Sequence, residues 1–577
     1  MIKLRFISRV ALIVALLSVF ALSITAQSEE NVLRVNWGPN DIPSLDPSDA
    51  TDVSSIQIIV ELFPGLTRIN EVTLENQPGM ALDWTVSEDG LTYTLNLIED
   101  VPWVKYNMET GEVEEVLDDD GNVRYVTAAD FAYGMQTSMD PRTGSYYGGI
   151  LATWIEGGAD FNGALDGLAE DASEEEAAEA VAAAAEGIAV TVIDDYTLEV
   201  VASQPAGFVP QILGMWMSTA KPQWVEEEFG DAWTEPENIV SYGPFALSEW
   251  LNGERLTIVR NPFWPGTDTI PVPTLDAVTG VMLETSAALA NYEAGLLDTT
   301  GVPSADLDRV LADATLSEEY STGPDTCTFY LMFNTTIEPT NDVRVRQALS
   351  MAINRQDIAD FILRPSEPAF FFTRPSLAAA PTAEEYPELI IGEDDEMANE
   401  LITSYLEENG LSEVPTITFM HSAGSGTGPL VAAAALEMWN DALGGVVNID
   451  VSTQEWAVYL ETTDFPETAP NVWYLGWCQD YPDTNNFLFD VLHSSVAVNG
   501  SGWSDEEFDA LLSEAQVLTD LEEREALYAQ AEYIATTRDA MMINLVYDLT
   551  SNLTKPYIER PYGSLGNTYY EYWSISN

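Results

Sequence analysis

Histidine, lysine and cysteine are scarce in this chain, and each shortage removes a class of chemistry. Among 577 residues there are two histidines, His421 and His493, and two cysteines, Cys327 and Cys478. A transition-metal site needs imidazoles or thiolates clustered at short spacing. These four side chains are scattered, so no metal site and no cofactor is expected, and the histidines read as ordinary polar residues. Four lysines are present, Lys3, Lys105, Lys221 and Lys555. None follows the Gly/Ser loop "HSAGSGTG" (residues 421–428), so a nucleotide-binding P-loop is excluded there. That loop is either a backbone cradle for an anion or, the preferred reading, a plain connection after a strand. There is no G-x-S-x-G nucleophile elbow. A glycosidase would need two carboxylates facing each other, and nothing singles out a pair among 95 acids. "DDDG" at 118–121 resembles part of a calcium loop but lacks the terminal glutamate at the required spacing.

Positive charge is short throughout: 21 Lys and Arg stand against 95 Asp and Glu, a formal net charge of −74. Such a surface repels nucleic acid and anionic headgroups, so no nucleic-acid partner is expected. It suits salty or acidic surroundings. Long apolar runs are missing too, with one exception. Val10–Leu22 is an apolar stretch of about 13 residues behind Lys3, Arg5 and Arg9, followed by small residues to Ala26. It is short of the roughly 20 residues that span a bilayer. Residues 1–26 therefore read as an export signal cleaved near Ala26, with no cysteine there to carry a lipid anchor. Two cysteines in an exported chain suggest one disulfide, closing a long loop; two buried free thiols are the alternative.

What is present implies several folded units. The length calls for two to four domains, and 10% aromatic residues argue against disorder. "LDWTVSEDGLTYTLNLIEDVPW" reads as a hairpin turning at Asp89-Gly90. Thr127 and Asp130 open a helix that Pro141 stops. Residues 171–186 are an Ala/Glu helix with little apolar bulk, expected on the surface. From Asp342 a long helix or helix pair presents Val345, Leu349, Ala352 and Ile353 on one face. "VPTITFM", "LVAAAALEMWNDAL" and "VNIDVSTQEW" form a strand–helix–strand unit, which indicates an α/β layer. Ser504 is expected to cap the first of two further helices, and "AMMINLVYD" to be a buried final strand. No internal repeat is found.

One stretch stands apart: "LGWCQDYPDTNNFLFDVL", Leu475–Leu492. Asp480 follows an aromatic at a strand end. An isolated carboxylate withdrawn from water needs a positive partner or several donors. Read alone, it either caps the turn before Pro482 or meets a cation.

Taken together the motifs resemble the extracellular solute-binding proteins of ABC importers for oligopeptides, dipeptides and nickel, family 5. The stretches that carry the likeness are, in order, "SLDPSDATDVSSIQIIVELFPGLTRI" (with Pro64 where an acid is usual), the hairpin ending at Trp103, "TAADFAYGMQTSMDP", "SYGPFALSEW", "NPFWPG", "NDVRVRQALSMAINRQDIADFIL" and "LGWCQDYPDTNNFL". An acidic insertion, residues 105–126, interrupts the pattern. The resemblance implies an α/β, two-lobed fold of the type II periplasmic-binding-protein class with an extra domain. Residues 27–55, 196–325 and 547–577 would form domain I, 56–195 domain II, and 326–546 domain III. It implies an oligopeptide-type binder rather than an enzyme, monomeric, with a peptide ligand and a membrane permease as partners. Asp480 would hold the ligand's α-ammonium, Gly476–Cys478 would pair with its backbone, and Trp477 would flank it. Cys327 and Cys478 occupy the positions that such members bridge. Arg364 and Arg374 lie in a segment considered for the ligand's far end. The two histidines disfavour nickel. A binder of oligosaccharides or a secreted carbohydrate-active enzyme is the alternative.

Overall fold

The computed structural model describes residues 31–166, 168, 172–495, 500–518, 520–563 and 569–576. The expected export signal, residues 1–26, lies outside the described residues. No helix among those described is long and apolar enough to cross a membrane.

Helices and sheets mix in an α/β arrangement with three main sheets. In the first, strand order is Val32–Gly38, Ala277–Met282, Arg255–Arg260 and Phe245–Leu251, the first pair parallel and the others antiparallel. The second contains the expected hairpin: Ala81–Val86 pairs with Thr92–Leu97, and Gly90 takes a positive φ of 77° at its turn. Thr197–Val201 and Val190–Asp194 extend that sheet. One continuous core lies under both sheets, from Leu33 and Ile58 to Trp103, Phe131 and Trp216.

The third sheet positions the site. Its order is Thr299–Gly301, Met542–Thr554, Tyr320–Phe333, Val472–Cys478, Ile417–Ser422 and Ile449–Gln454. Alternation along Tyr320–Phe333 sends Leu331 and Phe333 into one core and Tyr330 and Met332 into the other. The strand–helix–strand unit is as read: Ile417–Ser422 and Ile449–Gln454 are parallel, joined by the helix Gly428–Leu443. Trp439 on that helix is fully buried and donates to the carbonyl of Leu349.

Helix ends follow side-chain chemistry. Thr127 and Asp130 form a reciprocal cap at the start of Ala128–Met139. The Ala/Glu helix, Glu174–Ala185, buries only Val181. Of the long helix or helix pair expected from Asp342, the structure shows the pair: Val343–Met351 is followed, after a break, by Arg355–Asp357, which runs into a wide turn over Ile358–Ile362. Buried Arg355 explains the break, since its guanidinium reaches back to the Ser350 hydroxyl and across to the carbonyl of Asn544. The cap expected of Ser504 belongs instead to Asp505, whose carboxylate accepts the N–H groups of Glu507 and Phe508. Asp118 is spent in a turn, accepting the N–H groups of Asp120 and Asn122. In the Gly/Ser loop, Ser425 accepts the N–H of Gly428 at the helix entry.

Candidate ligand-binding site

Cys327 and Cys478 face each other in the antiparallel pairing of Tyr320–Phe333 with Val472–Cys478, and they are bonded as a disulfide. The bridge closes a separation of 151 residues. It pins the strand where it gives way to the Asp480 turn. Next to it, the N–H of Gln479 donates to the carbonyl of Thr326.

The two edges of Val472–Cys478 differ. One is paired with Tyr320–Phe333 along all seven residues. The other pairs with Ile417–Ser422 only at Val472 and Trp473. From Leu475 to Cys478 that edge has no strand partner among the described residues, and these residues line a cavity of about 390 Å³. An edge of this kind offers backbone N–H and C=O groups to an added strand. Gly476 is required by packing, since a Cβ there would stand 2.7 Å from the Phe329 ring.

Asp480 opens onto the same cavity. Its carboxylate accepts a hydrogen bond from Asn486 Nδ2 at 2.9 Å and longer ones from the Tyr147 hydroxyl at 3.3–3.4 Å. Its own N–H donates to Asn486 Oδ1 at 2.9 Å. No cation meets it. Enclosure by protein therefore pushes its pKa up to about 7; the neighbouring Asp490 adds to the rise, while Asn486 and Tyr147 oppose it. Asp490 is fully buried, receives the Tyr481 hydroxyl at 2.6 Å and shares the Asn486 amide at 3.1 Å. It too is raised to about 7, chiefly by burial. Behind it, Asp483 is neutralised by Arg524 at 2.6 Å. Trp477 lies nearly parallel to the Tyr147 ring, 6.3 Å between centroids, and touches Tyr146 edge-on.

The structure thus brings Gly476, Trp477, Cys478 and Asp480 to one cavity. It leaves the two arginines out: Arg364 pairs with Asp308 on the surface, and Arg374 donates to the carbonyls of Cys327 and Asp548. Sequence reasoning missed Tyr146 and Tyr147, which arrive on the helix Tyr146–Trp154 from a distant segment. It also missed Asn486 and Asp490, whose spacing after Asp480 within "DYPDTNNFLFD" was the available signal.

The helix Tyr146–Trp154 packs in the core under the first two sheets, the site strand lies in the third sheet, and contacts join them beside the cavity. The Tyr146 hydroxyl donates to the carbonyl of Asp490 at 2.6 Å. Gln204 meets Gln516 at 2.7 Å. Tyr481 lies in the core under the first two sheets, stacked on Phe208 at 5.2 Å.

The family model for bacterial extracellular solute-binding proteins, family 5, matches residues 75–499. The chain belongs to this family. It is 29% identical over 565 residues to the periplasmic oligopeptide-binding protein OppA of Escherichia coli, covering 96% of this chain and 94% of that one. It superposes on Haemophilus influenzae OppA in complex with the peptide RPPGFSPFR with a TM-score of 0.77 at 24% identity, covering 95% and 100%. The murein tripeptide-binding protein MppA of Escherichia coli has been solved in two structures similar to this chain. One matches with a TM-score of 0.78 at 25% identity, covering 95% and 99%. The other, an unliganded open form, covers 95% and 98% but reaches only 0.60. The family does not favour the carbohydrate reading.

Proposed function

We propose that this family member is an exported peptide-binding protein, not an enzyme, which captures an extended oligopeptide between its two halves and delivers it to the permease of an ABC importer. The observation that carries the reading is the conjunction at one cavity of an unpaired strand edge, Leu475–Cys478, and an enclosed carboxylate without a cation, Asp480. The edge suits the sequence-blind backbone of a peptide, which would add as a strand. The carboxylate suits the α-ammonium, because a cation offsets the cost of enclosing it. Trp477 would flank the ligand's first residue. The disulfide supports the geometry by fixing the strand end.

The division into domain I (27–55, 196–325, 547–577), domain II (56–195) and domain III (326–546) accompanies this proposal. The pairing of Thr197–Val201 with Thr92–Leu97 favours moving the boundary at 195 beyond residue 201. Closure would be a hinge motion stabilised by the ligand, since a ligand shifts an equilibrium by its differential affinity for the two states. Export through cleavage near Ala26, the absence of a lipid anchor and a monomeric state belong to the same reading.

The test is thermal unfolding of purified protein with tri- to pentapeptides bearing a free N-terminus, against their N-acetylated counterparts. A ligand at a hundred times its Kd adds about 2.7 kcal/mol of stability. The free-amine peptides should raise the melting temperature, the acetylated ones much less, and Asp480→Asn should remove the difference. Equal shifts for both series would refute the ammonium assignment.

A further inference from the structure

The described lining of the cavity contains three carboxylates and no lysine, arginine or histidine. The three acids are not equivalent. Asp52 is consumed by structure: it caps the helix Val53–Leu62 and accepts from the N–H and hydroxyl groups of both Ser54 and Ser55. Asp480 has Asn486 and Tyr147. Asp464 alone has no hydrogen bond or ion pair among the described residues, although protein encloses much of it.

Its placement points into the cavity. Asp464 ends the helix Trp456–Thr463. That helix presents Trp456, Leu460, Thr463 and Asp464 to the cavity, a spacing of i, i+4, i+7 and i+8 that defines one face. A carboxylate at a helix C-terminus faces the partial negative charge of the exposed carbonyls. Among the described residues no positive group compensates it, and Glu461 adds a like charge nearby. Burial first, and Glu461 second, raise Asp464 to about 6. The apolar side chains of Trp456 and Leu460 precede it on the same face. This pattern suits a side chain with a hydrocarbon stem and a charged head, which lays the stem along apolar surface and keeps the head on a polar partner.

We propose that Asp464 is a second cation subsite, so that the preferred ligand is a peptide carrying a basic side chain in addition to its α-ammonium. The inference rests on the peptide reading above and narrows its ligand class. The absence of any cationic side chain in the described lining argues in the same direction, because the enclosed part of the ligand meets only negative or neutral groups.

The experiment is calorimetric titration of the full secreted chain with tripeptide pairs that differ only in lysine against norleucine, at each of the three positions: Lys-Ala-Ala, Ala-Lys-Ala and Ala-Ala-Lys with their norleucine counterparts. Norleucine keeps the stem and removes the charge. At one position lysine should bind at least about tenfold more tightly. In Asp464→Asn that advantage should fall below about twofold, with the norleucine peptide unchanged. Equal affinities within every pair would overturn the subsite while leaving the peptide reading intact. So would a lysine preference that survives Asp464→Asn. Failure of all six peptides to bind would instead remove the peptide reading, and the subsite with it. The circular dichroism and melting temperature of Asp464→Asn, expected to match or exceed those of the parent, show that the variant is folded.

Discussion

If Asp480 receives a ligand ammonium, peptide affinity must depend on pH in a defined way. In this structure burial, above all, pushes its pKa up to about 7. The groups facing it supply no positive charge. Tyr146 and Tyr147, from the helix Tyr146–Trp154, are held protonated, pushed far above the usual phenol range by burial and by the surrounding carboxylates. Asn486 is neutral, and Asp490 across the shared amide is itself at about 7. Only the ionised carboxylate attracts the ammonium, so below pH 7 a bound proton must leave before the ligand can pair. At pH 5, two units below, roughly one molecule in a hundred has the site ionised. Affinity should therefore be weaker by about a hundredfold, or about 2.7 kcal/mol, than at pH 7.5. Above pH 8 it should fall again as the peptide's α-amine, with a pKa of about 7.7–8.0, loses its proton. Titration calorimetry with trialanine from pH 5 to 9, in buffers of different ionisation enthalpy, measures both affinity and proton release. Close to one proton should leave per peptide bound at pH 6. Because Asp480 and Asp490 share one amide, the observed midpoint belongs to the pair. An affinity flat from pH 5 to 7, without proton release, would refute the reasoning, and Asp480→Asn should abolish the low-pH limb.

Other outcomes follow from the same geometry. Asp480, Asp490, Glu532 and Asp548 all stand at about 7, each raised chiefly by burial; folding therefore binds protons, and stability should fall as pH rises from about 4 through about 7. Calorimetric melting of the ligand-free protein should accordingly give a higher Tm at pH 5.5 than at pH 8, and the reverse order would contradict these assignments. Replacing both Cys327 and Cys478 with serine should cost roughly 2–5 kcal/mol in denaturant unfolding, while peptide mapping of the parent without reductant should recover the linked pair. Gly476→Val would drive a side chain into the Phe329 ring, which a Cβ alone would approach to 2.7 Å; a loss of about 1–3 kcal/mol in stability is expected, together with weakened peptide binding, and unchanged binding would show that the strand edge is not used.

Local signals were legible where one segment settles its own structure. The hairpin at Asp89-Gly90, the Thr127 cap and the helix Gly428–Leu443 needed only neighbouring residues. Ser504 lost its role to Asp505 because adjacent polar residues compete for one cap, and a shift of one position changes little in sequence. From Asp342 the sequence left a long helix or a helix pair open, and what decides for the pair is Arg355, which turns toward the carbonyl of Asn544, far along the chain. The site divides in the same way. Gly476, Trp477, Cys478 and Asp480 lie together in sequence and in space. Tyr147 reaches Asp480 across 333 residues, and no periodicity encodes such a meeting. Asp464 was one acid among 95; only its position on the cavity-facing side of a helix, without a partner, distinguishes it.

Where Asp480 stands, its carboxylate must be neutralised. It is enclosed against Tyr147, Asn486 and Asp490, a set with no positive charge. The site tolerates the group in two ways: with a proton, which is the meaning of a pKa near 7, or with a ligand cation. A proton and an ammonium are thus competitors for the same carboxylate, and only the ammonium of a peptide brings a backbone to fill the edge at Leu475–Cys478. The acidic exterior does not decide between them. Its field attracts all cations, and salt screens exposed charges beyond about 8 Å at physiological ionic strength. Discrimination must come from inside the cleft, where enclosure protects the charges from screening and where the strand edge rewards a peptide over any smaller cation.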